Sequence, residues 1–285
     1  MAACEGALAA GATQIVVRDA HGSGRNILQE QLPKQAQLIR GWSGHPFAMV
    51  QELDSSFDAV CMVGYHGPAS HPNNPLSHTN TTRWNKITLN GLDLPEYLSH
   101  AHCAALEGVP VVFLSGDTGI CEIARSTNPQ IHTCACPPPT TSLVAPLVTP
   151  ARRSAPERRL RSVETNRGHG ESVIATIHPE TARERIAAGV QAALESDLTA
   201  HVQPKSASYE LVRCLIPPPR QPACLRLREH CRKVHEPMLV QRVRYVKHGD
   251  AYKTSWYPGA ALEDSQTVVY RSDSYWDVAT FMRFL

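Results

Sequence analysis

The sequence lacks any long hydrophobic run. None of its apolar stretches approaches the roughly 18–20 residues that a helix needs to cross a bilayer, so no membrane association is expected. The first residues, MAACEGALAAGATQ, lack the basic n-region of a secretory signal, which predicts a cytoplasmic location. The nine cysteines are odd in number and form no disulfide framework. Cys61, Cys103 and Cys121 lie inside apolar patterns and are predicted to be reduced thiols in the core.

The sequence also contains no P-loop, no dinucleotide-binding fingerprint and no internal repeat. What it does contain is 285 residues, of which 42% are hydrophobic and 19% charged. That hydrophobic fraction is too high for a disordered chain. The length is sufficient for a sizeable core, arranged as one large domain or two modest ones.

The formal net charge of +2 conceals an uneven distribution. Residues 137–162 and 213–237 each carry a net charge of +4, which leaves the rest of the chain at −6. Both segments are rich in proline and have no hydrophobic period, so we expect inserts, and disorder in the first of them. Their arginines raise the alternative of nucleic-acid binding. Because aromatic residues are not interleaved with the charges and the body is acidic, we expect no nucleic-acid partner.

Elsewhere, predicted strands alternate with predicted helices. The sequence therefore predicts an α/β fold with a mainly parallel sheet, helices on both faces, and a smaller C-terminal α+β portion. The continuous apolar runs at 58–64 and 109–117 are typical of strands that are buried on both faces. Further strands are predicted at 14–18, 86–91 and 172–177, and helices at 94–108, 179–195 and 274–285.

These features divide the chain into three parts. Residues 1–136 form a predicted α/β domain that carries a metal site. Residues 137–162 form the Pro/Arg-rich insert, and residues 163–285 form a second α/β portion that contains the atypical insert at 213–237.

Small polar clusters follow three of the predicted strands, and ligands bind at the carboxyl ends of strands in open parallel sheets. Imidazole and carboxylate groups at that edge are the usual ligands of hydrolytic zinc. A structural role in hydrogen bonding is the alternative for each histidine. The clusters are Asp19 with His21, Tyr65 with His66, and Gly116 with Asp117.

Two further residues belong to this hypothesis. Glu96 lies in the first turn of the helix that leads into the third of these strands, where it is a candidate oxygen ligand, although the helix dipole alone favours an acid there. His78 follows in the polar loop after His66, and it could act as a nucleophile or general acid/base. An ordinary solvated loop histidine is the alternative. His100 and His102 are two residues apart on a helix and therefore do not form a chelate.

An ordered series of segments in the first half of the chain carries a resemblance to a known family. These are VVRDAHGSGRNI, HPFAMVQELDSSFDAVCMVGYHGPASHP, LSHT and NGLDLPEYLSHAHCAALEGVPVVFLSGD. Over residues 2–130 they resemble the zinc-dependent D-aminopeptidase family of the DppA type, with weaker similarity at 163–200 and 238–285.

The resemblance implies an α/β sandwich whose subunits assemble into a ring-like homo-oligomer. It also implies a two-zinc centre that hydrolyses short peptides with an N-terminal D-residue, such as D-alanyl peptides. By this resemblance the metal ligands fall on His21, His66 and Glu96, and the family's proposed nucleophile falls on His78.

One family motif is missing from the sequence. The family opens with a strand that ends in D-x-E-G, which supplies an Asp to both metals and a Glu to one of them, and no such motif is present here. We therefore expect fewer than two zinc ions and reduced activity, since a bridging carboxylate holds two cations together. The alternative is a non-catalytic relative that keeps the fold and the oligomer without a complete two-metal site.

Overall fold

The computed structural model describes residues 1–71, 74–84, 86–89, 92–135, 177–198, 239–244, 257–264 and 267–284. Both basic segments, 137–162 and 213–237, lie outside these ranges, as do residues 172–176 of a predicted strand. The three-part division of the chain therefore stays a prediction. Among the described residues, no helix combines the length and the apolarity that a membrane span requires.

A three-stranded parallel sheet lies at the centre of the described structure. It contains β3 (Val60–Tyr65), β6 (Val111–Gly116) and β7 (His132–Ala135), in the order β3-β6-β7. The predicted run at 109–117 became β6, which is buried over its whole length apart from its last residue. Strand β7 was not predicted, because its four residues carry no apolar run.

The prediction that the strand at 58–64 is buried on both faces is wrong for β3. Val63 is 47% exposed, and β3 pairs with β6 alone among the described strands. A strand at the edge of a sheet has one side that no neighbouring strand covers.

Strands β1 (Ile15–Arg18) and β2 (Ala36–Ile39) pair in parallel as a separate two-stranded sheet. The polar cluster after β1 therefore follows a strand that is not hydrogen-bonded to β3 or β6 in the described structure. Short antiparallel strands β4 (Thr88–Leu89) and β5 (Leu92–Asp93) then lead into the next helix.

Helices cover both faces of the central sheet, as predicted for this fold class. On one face α1 (Ala2–Ala9) packs against α4 (Pro179–Leu194), which contacts β6 and β7. On the other face lie α2 (Glu96–Glu107) and α3 (Thr118–Thr127). Pro95 immediately precedes α2, and Gly108 ends it in a left-handed conformation with φ of 74°. Asp117 caps α3 by accepting a hydrogen bond from Ile120 N.

The C-terminal part is α+β, as predicted. Strand β10 (Thr267–Ser272) pairs antiparallel with β8 (Leu239–Arg244) on one side and β9 (Ala260–Asp264) on the other. The closing helix α5 (Tyr275–Phe284) packs against α2, the helix that begins with Glu96. None of the five described cysteines forms a disulfide, and Cys103 and Cys121 are buried in the core as predicted.

Candidate metal centre

Three side chains that are distant in the sequence meet beside the carboxyl end of β3. His66 Nε2 lies 4.0 Å from Glu96 Oε2, and His78 Nε2 lies 3.9 Å from Glu96 Oε1. The ligand atoms of the three residues all lie within 4.8 Å of one another. Within the described ranges, this is the one group of three or more His, Cys, Asp or Glu side chains with such spacing.

His66 is the first residue after β3. Its ring is oriented by its own turn, since Nδ1 lies 3.1 Å from the carbonyl oxygen of Gly67. The neighbouring strands approach closely at this point, because a Cβ on Gly116 would overlap the carbonyl oxygen of Tyr65. Glycine at the end of β6 therefore allows β3 to carry its histidine alongside β6.

His78 reaches the cluster from the loop that follows His66. Its Nδ1 lies 2.7 Å from the carbonyl oxygen of Leu76. The next residue, Thr79, is fully buried, and its hydroxyl accepts a hydrogen bond from Ala69 N and donates one to the carbonyl of Leu94. Thr79 thus ties the return of the loop both to its beginning and to the segment that enters α2.

Glu96 is the first residue of α2, where its side chain is buried. Its Oε1 accepts a hydrogen bond of 2.7 Å from the backbone N–H of Asn80, two residues beyond His78. Asn80 adopts a positive φ of 54°, a conformation that asparagine tolerates better than most residues. The carboxylate is therefore fixed by the same loop that carries His78.

The hydrogen bonds of the two imidazole rings fix their tautomer. A carbonyl oxygen can only accept, so Nδ1 of His66 and Nδ1 of His78 each carry the proton. The lone pair of each neutral ring then lies on Nε2, the atom that faces Glu96. Histidine ligands of metals are commonly oriented in this way, by donating their other N–H to a backbone carbonyl.

This donor set fits a zinc ion. Imidazole nitrogens and carboxylates are usual ligands of catalytic zinc, so His66 and Glu96 supply two such groups and His78 places a second imidazole within 4.8 Å of them. Ligands at about 2.0–2.2 Å from a tetrahedral ion lie roughly 3.3–3.6 Å apart. The observed separations of 3.9 and 4.0 Å require only a small contraction to reach that spacing.

The surroundings disfavour additional negative charge. Burial raises the pKa of the Tyr65 hydroxyl, and the nearby Glu96 carboxylate raises it further. The rings of His66 and His78 are stacked with their centroids 4.3 Å apart, an arrangement that two cationic rings would oppose. A site with one carboxylate and two stacked imidazole rings is well suited to a cation.

The structure does not bring His21 into this cluster. His21 is exposed, in a loop that is folded around the buried Asp19. Asp19 accepts hydrogen bonds from Ile27 N and from the backbone and side chain of Asn26. Although burial acts in the opposite direction, these hydrogen bonds hold the pKa of Asp19 below its usual range. The role of His21 as a metal ligand stays a prediction.

The sequence reasoning also missed residues that organise the site, among them Thr79 and Asn74. Asn74 is buried and hydrogen-bonds the carboxylate of Asp117. The only sequence signal for either residue was its position in a polar, proline-containing loop between two metal-ligand candidates.

Fold and site together define the class: an α/β protein whose candidate His–His–Glu metal centre lies beside the carboxyl edge of a parallel sheet. A family model described as D-aminopeptidase, of the peptidase M55 family, matches residues 1–155, which is more than half of the chain. The chain belongs to this D-aminopeptidase family, which confirms the resemblance drawn from the sequence.

Individual relatives agree with this assignment. The D-aminopeptidase of Bacillus subtilis (strain 168) is 32% identical over 125 residues, which are 44% of this chain and 45% of that protein. The match therefore spans less than half of the length of that relative.

A solved structure has the same fold. It is the Zn-dependent D-aminopeptidase DppA from Bacillus subtilis, described as a self-compartmentalizing protease. The TM-score is 0.69 at 20% identity, over 99% of this chain and 81% of that one. This likeness confirms the predicted α/β fold.

Proposed function

We propose that this chain is a zinc-dependent D-aminopeptidase that hydrolyses short peptides with an N-terminal D-amino acid, such as D-alanyl peptides. The observation that carries the proposal is the pair of imidazole rings anchored through Nδ1, which present Nε2 toward the buried carboxylate of Glu96. Family membership supplies the reaction class, because the B. subtilis relatives are named for that activity.

In this proposal His66, through Nε2, and Glu96, through its carboxylate, hold the metal ion. A bound zinc ion supplies a Lewis acid that polarises the carbonyl of the scissile peptide bond. The Asn80 N–H fixes one oxygen of Glu96, so the carboxylate is oriented before any ion binds. We propose one ion per chain at this centre, and His21 as a ligand only if a second ion is bound.

His78 is proposed as the catalytic residue. The Leu76 carbonyl holds the proton of its ring on Nδ1, so Nε2 is the atom that accepts a proton from the attacking water. The C–N bond of the peptide then breaks, and the same Nε2–H delivers that proton to the leaving amine. His78 is suited to this exchange because its side chain is 26% exposed, whereas that of Glu96 is 9% exposed.

We further propose that the chain acts as a ring-like homo-oligomer in the cytoplasm. The support is the description of the B. subtilis structure as a self-compartmentalizing protease, which requires subunits that enclose a space. Light scattering coupled to size-exclusion chromatography tests this proposal, and a stable monomer at micromolar concentration would reject it.

Metal analysis and a peptidase assay on the purified protein test the main proposal. We expect about one zinc per chain and hydrolysis of D-Ala-D-Ala, with L-Ala-L-Ala as the matched control substrate. Removal of metal by a chelator should abolish the activity, and added zinc should restore it. A folded protein that binds zinc but cleaves neither peptide would instead be the non-catalytic relative.

A further inference from the structure

We infer that Asp117 and Asn74 are positioning residues that set the orientation and spacing of the His66 and His78 rings. The inference rests on the proposed function, because the rings are treated as parts of a metal-dependent active site. Neither Asp117 nor Asn74 belongs to the three-residue cluster, and both are buried.

Asp117 lies directly after β6 and collects hydrogen bonds from three different segments. Its Oδ1 accepts from Ile120 N at 2.7 Å and so caps α3. Its Oδ2 accepts from Gly67 N at 2.8 Å and from Asn74 Nδ2 at 2.7 Å. One carboxylate oxygen therefore joins the turn after β3 to the loop that carries His78.

The first branch from Oδ2 leads to His66. Gly67 donates its N–H to Asp117, and its carbonyl oxygen accepts the Nδ1 proton of His66. The conformation of Gly67 is thereby fixed through both its N–H and its carbonyl group. If Gly67 rotated away from Asp117, its carbonyl would leave the position that orients the ring of His66.

The second branch leads to His78. Asn74 holds its loop through two local hydrogen bonds, since its Oδ1 accepts from Leu76 N at 2.8 Å and its carbonyl accepts from Ser77 N at 3.0 Å. The carbonyl of Leu76 in turn accepts the Nδ1 proton of His78. Both histidines are thus oriented by backbone carbonyls whose positions depend on the same carboxylate oxygen.

A carboxylate suits this branch point better than an amide. Oδ2 accepts two N–H donors at once, and hydrogen bonds to an ionised acceptor are stronger than those to a neutral one. Its negative charge is also stabilised by the N-terminal end of α3. An asparagine at this position keeps one oxygen acceptor. Its NH₂ group would replace Oδ2 and would face the two N–H donors of Gly67 and Asn74.

The alternative is that Asp117 serves only as the cap of α3. Asn and Asp are about equally good helix caps. If capping is its only role, Asp117→Asn should change neither metal affinity nor the histidine rings. Replacement by asparagine therefore separates the two roles.

The experiment compares the wild-type chain with Asp117→Asn, Asn74→Asp and the double variant that exchanges the two residues. Co²⁺ affinity and the visible absorption spectrum of bound Co²⁺ report the ligand geometry. Asp117→Asn should weaken Co²⁺ binding about 10–100-fold, the usual effect of losing a partner of a metal ligand. Asp54→Asn, an exposed carboxylate that also accepts from a neighbouring backbone N–H, is the matched control and should bind as the wild type does.

The exchange variant adds a rescue test. With Asn at 117 and Asp at 74, the hydrogen bond between the two side chains can re-form with reversed polarity, and position 74 still accepts from Leu76 N. The branch to His78 should recover while the branch to Gly67 stays broken. We therefore expect ¹H–¹⁵N spectra of the rings to show the Nδ1–H form restored at His78 and not at His66, with Co²⁺ affinity close to that of Asp117→Asn. A His78 ring that stays as in Asp117→Asn would overturn the role of Asn74.

A second measurement does not depend on metal. Long-range ¹H–¹⁵N spectra of the metal-free protein, labelled at histidine, report which ring nitrogen carries the proton. We expect the Nδ1–H form of His66 and His78 to dominate in the wild type and to lose population in Asp117→Asn. Unchanged ring spectra together with unchanged Co²⁺ affinity would overturn the inference. A wild-type chain that binds no metal but shows the ring changes would reject the proposed function and leave the positioning role supported.

Discussion

The loops at the carboxyl edge of the sheet and the helix pair α1–α4 on one of its faces are stabilised by different kinds of contact. At the carboxyl edge, the loops are connected by hydrogen bonds of buried polar side chains, namely Thr79, Glu96 and Asp117. Between α1 and α4 the contact is a close approach of backbones. A Cβ on Gly6 would overlap the carbonyl of Ala187, and where α4 meets the sheet a Cβ on Gly189 would lie 2.6 Å from the ring of Phe113 in β6.

This difference indicates how each region responds to substitution. At the site edge, directed hydrogen bonds fix particular atoms, so a change of chemistry at constant volume should alter metal binding and catalysis. In the α1–α4 layer the close contacts are steric, so a change of volume should alter stability and leave the site unchanged.

The largest effects are expected within the site, where substitutions of His66 and His78 should differ in their effects on zinc affinity and kcat. His66→Ala removes a proposed ligand and should lower zinc affinity more than about 100-fold and abolish activity. His78→Ala should keep the affinity within about tenfold and lower kcat by roughly 10²–10⁴-fold, the usual contribution of a general acid/base. Calorimetric zinc titration and steady-state kinetics with D-Ala-D-Ala measure both quantities.

The control for this pair is His132→Ala. His132 begins β7, which is the outer strand on the other side of β6 from β3 and the site. It should leave both zinc affinity and kcat unchanged. If His78→Ala loses zinc as severely as His66→Ala, then His78 is a third metal ligand and its proposed catalytic role is wrong.

The two regions also differ in how far the sequence predicts them. The apolar run of β6 and the proline and glycine that bound α2 indicated these elements correctly, because burial and chain termination are local properties. Strand ends and the family resemblance pointed to His21, His66 and Glu96 as ligands with His78 nearby, and of these the structure brings His66, His78 and Glu96 together. The hydrogen bonds of Asp117 to residues 67 and 74 join positions 50 and 43 residues apart, and no period in the sequence records them.

Strand pairing limited the prediction elsewhere. An apolar pattern identifies a strand but not its neighbour, so β1 was expected to share an edge with β3 and instead pairs with β2. The same limitation explains why Val63 was expected to be buried, since its exposure depends on what lies beside β3. Strand β7 is short and half-buried, and its hydrogen bonds to β6 rather than its composition define it.

An intermediate effect is expected from Gly6→Ala in the α1–α4 layer. Alanine is the better helix former by about 1 kcal/mol, but its Cβ would overlap the Ala187 carbonyl, which cannot rotate away as a side chain would. The net destabilisation should be about 1–3 kcal/mol, measured by urea unfolding. Zinc affinity per folded molecule should not change. Ala9→Ser, at an exposed position of the same helix, is the matched control, and a Gly6→Ala chain as stable as that control would contradict the close contact.

The smallest effect concerns the middle of the helix that carries Glu96. His102 lies in α2 beside the ring of Tyr275, and burial lowers its pKa from 6.5 to about 4. Because the folded state keeps this ring neutral while the unfolded state protonates it, stability should fall as the pH drops below 6.5 and level off below about 4. Between pH 7 and 5.5 the loss should be about 1 kcal/mol. His102→Gln should reduce this slope. A residual dependence of stability on pH, of the same sign, should remain from His100, because burial also lowers the pKa of that residue. Urea unfolding at several pH values measures the slope, and a variant whose slope equals that of the wild type would show that α2 does not hold His102 as a neutral histidine.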